Sequence, residues 1–178
     1  MMRVGVLAVQ GAFVEHEAAF RRAGHEVFEI RQRRDVEQSF DMLVLPGGES
    51  TVQRKLLHDL DLQDLLWRKI DDGLGVYATC AGLILMAKEV DGQPNPLGRL
   101  DISVMRNAYG RQTGSFHARG ELNGQPDVPM TFIRAPRITK AEENVAILST
   151  YDGYPTAVRQ GNIVAFSYHP ELNGEIYL

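Results

Sequence analysis

The sequence predicts an α/β fold: a mixed, mostly parallel sheet with helices on both faces and antiparallel hairpins added to it. In the first half, short apolar runs typical of buried parallel strands alternate with segments of helical spacing. A turn-rich break at residues 93–98 follows. After it come short strand candidates separated by Gly, Pro and Asn, which is typical of hairpins.

The elements follow from these patterns in order. Residues 4–9 are continuously apolar, as expected of a first strand buried on both faces, and helical spacing at 12–23 stops at Gly24. The first half also predicts strands at 27–30, 42–45 and 76–78 and helices at 51–57 and 60–70. The second half predicts strands at 102–105, 115–122, 130–133, 146–150, 156–158 and 163–168. These elements make one domain spanning residues 1–178.

Composition excludes several classes of function. The 178 residues are 44% hydrophobic and 24% charged, as in an ordinary soluble protein, and the net charge of −4 argues against nucleic acid as a partner. The basic run at Arg31, Arg33 and Arg34 is interpreted as a solvated loop. No apolar stretch approaches the ~18 to 20 residues that span a bilayer. A single cysteine excludes an internal disulfide, so we expect a cytoplasmic protein.

Cys80 is that single cysteine, and its neighbours are small. The apolar run at 76–78 leads into Thr79, and Ala81 and Gly82 open a helix-like apolar stretch. This pattern predicts a strand-to-helix elbow that presents a nucleophile at the carboxyl edge of a sheet. The alternative is a small buried side chain, because free cysteine is among the most buried residue types.

A cysteine nucleophile needs a base and a group that orients the base. His169 ends the apolar run 163–168 and is followed by Pro170 and Glu171. In an extended segment residues two apart point the same way, so the carboxylate can hold the imidazole. A surface turn is the alternative interpretation. A metal site is less favoured, because no second ligand stands at the spacing that metal sites use.

An acyl-transfer site also needs donors for an oxyanion. The strand at 42–45 ends at Pro46, and Gly47 and Gly48 permit backbone conformations that turn an N–H into a cleft. The second donor would be the N–H of Ala81, directly after the nucleophile. A plain turn is an alternative, and a phosphate loop is disfavoured because no Gly-Lys-Ser/Thr follows.

These segments resemble the class I (triad) glutamine amidotransferases, although Thr-Cys-Ala-Gly replaces the commoner Gly-x-Cys-x-Gly elbow. Further blocks resemble one family of them, the glutaminase subunits of pyridoxal 5'-phosphate synthase. They are Leu-Ala-Val-Gln-Gly-Ala at 7–12, Leu-Pro-Gly-Gly-Glu-Ser-Thr at 45–51, Thr-Cys-Ala-Gly-Leu-Ile-Leu at 79–85, Arg-Asn-Ala-Tyr-Gly-Arg-Gln at 106–112 and Phe-Ile-Arg-Ala-Pro at 132–136. The last two blocks separate this family from other triad glutaminases.

The resemblance implies a flavodoxin-like class I glutamine amidotransferase fold and hydrolysis of L-glutamine through a cysteine thioester. It implies that ammonia passes to a (β/α)8-barrel synthase subunit within a large hetero-oligomer, for pyridoxal 5'-phosphate synthesis, and that this chain needs no cofactor or metal. Gln10, in the first βα turn, is a candidate for sensing the partner. The residues implied to bind glutamine are Gly47, Gly48, Glu49, Arg106, Ile133 and Arg134.

Other interpretations stay open at this point. The chain could be a triad glutaminase that serves another synthase, or a related γ-glutamyl hydrolase, and blocks 106–112 and 132–136 argue against both. It could also be a catalytically silent module that binds glutamine or recruits a partner, against which the complete Cys80, His169 and Glu171 set argues. One departure from the family pattern lies at 172–178, and it leaves open what packs behind Glu171.

Overall fold

A central seven-stranded sheet organises the protein, whose computed structural model describes residues 1–108 and 114–178. The order across the sheet is β11-β12-β13-β4-β3-β1-β2. Neighbouring strands from β13 to β2 pair in parallel, and β11 and β12 extend the sheet antiparallel at the β13 side. The strands are β1 (Arg3–Leu7), β2 (Glu26–Ile30), β3 (Met42–Leu45), β4 (Gly75–Thr79), β11 (Ala146–Tyr151), β12 (Tyr154–Gln160) and β13 (Ile163–Phe166).

Five helices and two smaller sheets complete the described residues. The helices are α1 (Phe13–Arg22), α2 (Arg33–Val36), α3 (Ser50–Asp59), α4 (Gln63–Asp71) and α5 (Ala81–Met86). A four-stranded sheet of order β10-β7-β5-β6 contains β5 (Ala87–Val90), β6 (Gln93–Pro94), β7 (Leu100–Met105) and β10 (Arg137–Ala141). A hairpin joins β8 (Ser115–Leu122) to β9 (Gln125–Ile133), and a 3₁₀ turn spans Pro170–Asn173.

Both faces of the central sheet are buried at its centre, because β1, β3, β4 and β13 carry only apolar residues or glycine in their middle. In β4, for example, Val76 and Ala78 enter one core and Tyr77 enters the other. Helices α3, α4 and α5 and the four-stranded sheet cover the face to which Val76 and Ala78 point. Helix α1 covers the second face with Phe20, and the β8–β9 hairpin adds Phe132. This two-sided burial explains the continuous apolar runs in the sequence.

The predicted α/β class is confirmed, and two details differ from the prediction. Strand β13 forms the expected antiparallel hairpin with β12, but its other edge pairs in parallel with β4, so that Ile163 lies opposite Val76. A four-residue apolar run fits either direction, which only tertiary pairing decides. The basic run near Arg33 contains a short helix, because the Asp35 side chain accepts from the Gln32 N–H and closes a capping box.

None of the helices within residues 1–108 and 114–178 is both long enough and apolar enough to cross a bilayer.

Candidate active site

The candidate site lies where adjacent parallel strands end at one edge of the central sheet. Chain segments leave β1, β3, β4 and β13 at this edge and carry Gln10, Gly47, Cys80 and His169 respectively. The carboxyl edge of a parallel sheet is the usual place for a binding crevice. The fold therefore brings together residues that are up to 159 positions apart in sequence (169 minus 10).

Cys80 occupies a strained elbow between β4 and α5. Its φ of 48° and ψ of −100° lie in a region that costs a non-glycine residue about 1–3 kcal/mol. The surrounding backbone holds it there: its N–H donates to the Phe166 carbonyl at 2.8 Å, and its carbonyl accepts from the Ile84 N–H at 3.1 Å. The thiol is 6% exposed, and Sγ lies 3.8 Å from the Ile133 carbonyl oxygen.

The small residues after the cysteine have a steric reason. A Cβ at Gly82 would lie 2.2 Å from the Leu45 carbonyl oxygen, so only glycine lets α5 approach the end of β3 this closely. Ala81 is the first residue of α5. Its N–H is one of the four at a helix start that have no acceptor within the helix.

His169 and Glu171 meet through a tight turn. His169 Nδ1 lies 2.6 Å from Glu171 Oε1, and both side chains are buried. The extended segment assumed for this pair is wrong, because Pro170 begins a 3₁₀ turn in which Glu171 folds back toward the ring. The His169 N–H donates to the Thr131 carbonyl at 2.9 Å, which fixes the base to β9.

The charges of this pair are coupled. Burial by itself lowers the pKa of His169, but hydrogen bonds with Cys80 and Glu171 raise it to about 10. Burial raises the pKa of the Glu171 carboxyl, while the neighbouring histidines, His16 and His169, bring it below its ordinary value. The site therefore favours an ionised carboxylate next to a protonated imidazole.

The paired glycines lie directly against the base and the first βα turn. A Cβ at Gly47 would lie 2.3 Å from His169 Cε1, so the imidazole occupies the space that any larger residue would need. The Gly47 carbonyl accepts from the Ala12 N–H at 2.9 Å. Because this peptide bond is trans, the N–H of Gly48 points to the opposite side of the loop.

Gln10 and Glu49 hold the other end of this loop. Gln10 Oε1 accepts from the Glu49 N–H at 2.9 Å, directly after Gly48. The Glu49 carboxylate caps α3 by accepting from the N–H groups of Thr51 and Val52, and the Thr51 hydroxyl bond lowers its pKa. The cap therefore comes from Glu49 and not from the hydroxyl of Ser50 or Thr51, the usual type of capping group. The Glu49 side chain is thus already engaged within the protein.

A cavity of about 690 Å³ opens beside the cysteine. Arg106 lies in its wall and is bound to Asp91, whose Oδ2 accepts from Arg106 Nε at 2.7 Å and whose Oδ1 accepts from the Arg106 N–H at 2.8 Å. Of the block at 106–112 used for the resemblance, residues 109–112 lie outside the described residues. The predicted site residues that line the cavity are Gln10, Gly47, Gly48, Glu49, Cys80, Arg106, Ile133, Arg134 and His169.

Sequence reasoning missed His16, which lies behind Glu171. The His16 side chain is fully buried, and its Nε2 lies 2.9 Å from Thr79 Oγ1 and 3.4 Å from Glu171 Oε1. The signal was its spacing, because positions 13, 16 and 20 follow one face of α1 and the other two are phenylalanines. A histidine in an apolar stripe indicates either a satisfied core residue or a functional one, and only the contacts decide.

Metal binding has no candidate in this region. Among residues 1–108 and 114–178, no group of three or more His, Cys, Asp or Glu side chains could hold an ion.

Comparison with known proteins identifies the family. The model of the SNO glutamine amidotransferase family matches residues 6–177. The chain belongs to this family. The match confirms the family resemblance seen in the sequence blocks, while the individual roles of the site residues stay predictions.

Three relatives with similar sequences share one name. A protein from Methanocorpusculum labreanum called pyridoxal 5'-phosphate synthase subunit PdxT is 50% identical over 177 residues, which cover 99% of this chain and 94% of that protein. A protein of the same name from Desulfitobacterium hafniense is 50% identical over 98% of this chain and 88% of its own length. Another protein of this name, from Streptococcus pneumoniae, is 45% identical over 99% of this chain and 93% of its own length.

Solved structures agree with the SNO family assignment. A crystal structure titled glutamine amidotransferase superposes with a TM-score of 0.89 at 41% identity, covering 97% of this chain and 92% of that one. The structure of PurLQS from Thermotoga maritima gives a TM-score of 0.69 at 16% identity, covering 96% and 89%. The second match shows a shared fold alone.

Proposed function

We propose that this chain is the glutaminase subunit of a pyridoxal 5'-phosphate synthase and hydrolyses L-glutamine to L-glutamate and ammonia. The observation that carries the proposal is the meeting of Cys80 with the His169–Glu171 pair at the wall of a cavity lined by two arginines. This arrangement supplies a nucleophile, a proton carrier and its orienting carboxylate. The relatives named PdxT support the same activity.

The proposed reaction begins with transfer of the proton of the Cys80 thiol to His169, which leaves a thiolate and an imidazolium. The thiolate attacks the side-chain amide carbon of glutamine, and the N–H groups of Gly48 and Ala81 stabilise the oxyanion. The imidazolium of His169 gives its proton to the leaving nitrogen, and ammonia departs. Neutral His169 then takes a proton from water, whose oxygen attacks the γ-glutamyl thioester and releases glutamate and the thiolate. Glu171 keeps the imidazole oriented throughout.

The cavity wall suits the α-carboxylate and α-ammonium of a free amino acid. Arg106 and Arg134 are the cations that would bind the carboxylate. Since the Glu49 side chain caps α3, we assign its contribution, like that of Gly47 and Gly48, to the backbone. Backbone carbonyls such as that of Ile133, 3.8 Å from Cys80 Sγ, would accept hydrogen bonds from the substrate.

We further propose that ammonia passes to a (β/α)8-barrel synthase subunit in a large hetero-oligomer within the cytoplasm. Gln10 would sense this partner, because its side chain bonds to the Glu49 N–H beside the oxyanion loop and a contact there can move the loop. Residues 1–178 would form a single glutaminase domain, and this domain would need no cofactor.

Ammonia release from glutamine tests the proposal. We expect release by the wild type together with the barrel synthase subunit, and a loss of at least about a thousandfold in Cys80→Ala. The fold of the variant is checked by circular dichroism. No release by the wild type, with or without the synthase, contradicts the enzymatic function. Release that survives in Cys80→Ala contradicts the mechanism, and equal activation by an unrelated synthase contradicts the partner.

A further inference from the structure

His16 contacts both arms of the proposed catalytic site from a position deep in the core. Its Nε2 lies 2.9 Å from Thr79 Oγ1, a full hydrogen bond, and Thr79 immediately precedes the nucleophile Cys80. The same nitrogen lies 3.4 Å from Glu171 Oε1, the oxygen that also meets His169 Nδ1 at 2.6 Å. One imidazole therefore joins the elbow to the carboxylate.

The surroundings of His16 determine its protonation. Burial lowers its pKa, and His169 lowers it further, while Glu171 and Glu15 raise it by less. The ring of Tyr77 packs edge-on against it, with centroids 6.0 Å apart. The net direction is down, so His16 is neutral at neutral pH and carries one N–H.

The position of that N–H follows from the available acceptors. Nε2 faces Thr79 Oγ1 and the Glu171 carboxylate, whereas Nδ1 has no partner among the described residues. A neutral imidazole places its proton where an acceptor waits, so Nε2 is the donor and Nδ1 the bare nitrogen. Glu171 Oε2 has no partner in the same part of the chain, so Oε1 carries the contacts that orient this carboxylate.

We propose that His16 is a positioning residue for the glutaminase reaction: its Nε2 bonds to Thr79 Oγ1 and lies 3.4 Å from Glu171 Oε1, so that the ring braces this carboxylate beside His169 and links it to the elbow. This inference rests on the proposed function. His16 touches neither the substrate cavity nor Cys80, so its effect reaches the chemistry only through Glu171 and Thr79. Helix α1 is thereby part of the active-site framework.

Two substitutions separate this role from simple packing. His16→Leu fills the space but removes the donor, whereas His16→Gln keeps an amide N–H near the position of Nε2. With the synthase subunit present, we expect His16→Leu to lower kcat about 10- to 100-fold with KM within about twofold, because a displaced orienting group misaligns the base. His16→Gln should recover most of this loss.

The pH dependence supplies a readout that packing alone would not move. Loss of the Glu171 contact weakens the bond that keeps His169 protonated, so the basic limb of kcat/KM should lie at lower pH in His16→Leu than in the wild type. His25→Leu is the matched control. His25 follows the same helix and accepts from the Met2 N–H at 3.2 Å, far from Glu171, so kcat should not change.

Alkylation of Cys80 by iodoacetamide separates this inference from the proposed function. Cys80 is the only cysteine, and its alkylation needs no glutamine. A shift of the alkylation profile to higher pH in His16→Leu, because a less stable imidazolium stabilises the thiolate less, supports the inference. It does so even where the wild type releases no ammonia, a result that contradicts only the glutaminase function.

Three results overturn the inference. The first is that His16→Leu has the kcat and the alkylation profile of the wild type. The second is that His16→Leu and His16→Gln lose kcat equally. The third is that His16→Leu loses kcat while the basic limb of its kcat/KM profile stays at the wild-type pH. Where His16→Leu does not fold, His16→Asn replaces it, because this polar side chain is too short to reach Glu171, and the same outcomes apply.

Discussion

The two arms of the candidate site are held in place by different means. The nucleophile arm at Cys80 is fixed by backbone: a strained φ of 48°, a hydrogen bond from its N–H to Phe166 and the first turn of α5. The base arm at His169 is fixed mainly by side chains, through Glu171 at 2.6 Å and, behind it, His16 at 3.4 Å. Changes of side chain should therefore affect the arms differently.

This difference separates chemistry from positioning. A substitution of Cys80 removes a reacting atom but leaves the elbow intact, because the side chain contributes little to its own placement. A substitution in the base arm leaves the nucleophile in place but changes the alignment or the protonation of the imidazole. The first kind should abolish turnover with little effect on stability, and the second should give graded losses with a changed pH profile.

The largest effect should come from Cys80→Ser. The hydroxyl is a far weaker nucleophile than the thiolate and is not ionised by a neighbouring imidazole at neutral pH. We expect ammonia release to fall at least about a thousandfold while the melting temperature stays within about 2 °C of the wild type. Kinetic assays and thermal unfolding measure the two quantities. A large drop in melting temperature would contradict the claim that the Cys80 side chain contributes little to the placement of this arm.

Glu171→Gln should break the base arm without touching the nucleophile. Removal of the carboxylate costs orientation and charge, so we expect kcat to fall about 10²- to 10⁴-fold. Glu171 raises the pKa of His169, which reaches about 10 in the wild type. His169 is protonated below that pKa, so kcat/KM of the wild type should fall as pH rises through about 10.

In Glu171→Gln this basic limb should move to lower pH, since the stabilising anion is gone. The pH–rate profiles of both proteins with the synthase subunit check the shift. An unmoved limb would show that Glu171 does not govern the protonation of the base.

Gly47→Ala should disturb the base from the side of the oxyanion loop. The added Cβ would lie 2.3 Å from His169 Cε1, so the ring or the loop must shift by about 1 Å, and we expect kcat to fall about 100-fold. Gly98→Ala is a control of equal steric severity, because its Cβ would lie 2.4 Å from Lys88 Cα, away from the cavity. It should lower the melting temperature and spare kcat. Equal kcat losses in both variants would attribute the effect to general instability.

The smallest effect should come from Asp91→Asn. Asp91 orients Arg106 at the cavity wall, but the Arg106 side chain is 39% exposed, where an ion pair contributes only about 0.2–1 kcal/mol. We expect KM for glutamine to rise no more than about fivefold, with kcat unchanged. Asp71→Asn, which breaks the Arg99 ion pair elsewhere, should leave KM as it is. A tenfold fall in kcat with an unchanged KM in Asp91→Asn would instead indicate that Arg106 takes part in the reaction itself.

The sequence predicts the nucleophile arm better than the base arm, and the reason is local. Small residues around Cys80 and an apolar run before it describe an elbow that neighbours in sequence can build. The turn at Pro170 and the parallel pairing of β13 depend on contacts with distant strands, which a short apolar run does not specify. His16 escaped notice because its partners, Thr79 and Glu171, lie far away along the chain.

The place of β13 in the sheet has a consequence for the newly made chain. Because β13 lies between β4 and β12, the centre of the sheet is complete only after Ile163 has paired with Val76. During synthesis the amino-terminal strands and the thiol leave the ribosome long before the imidazole does. A nascent or truncated chain that lacks β13 and the residues after it thus has neither His169 nor Glu171 beside Cys80. The three side chains come together only when the last strand docks.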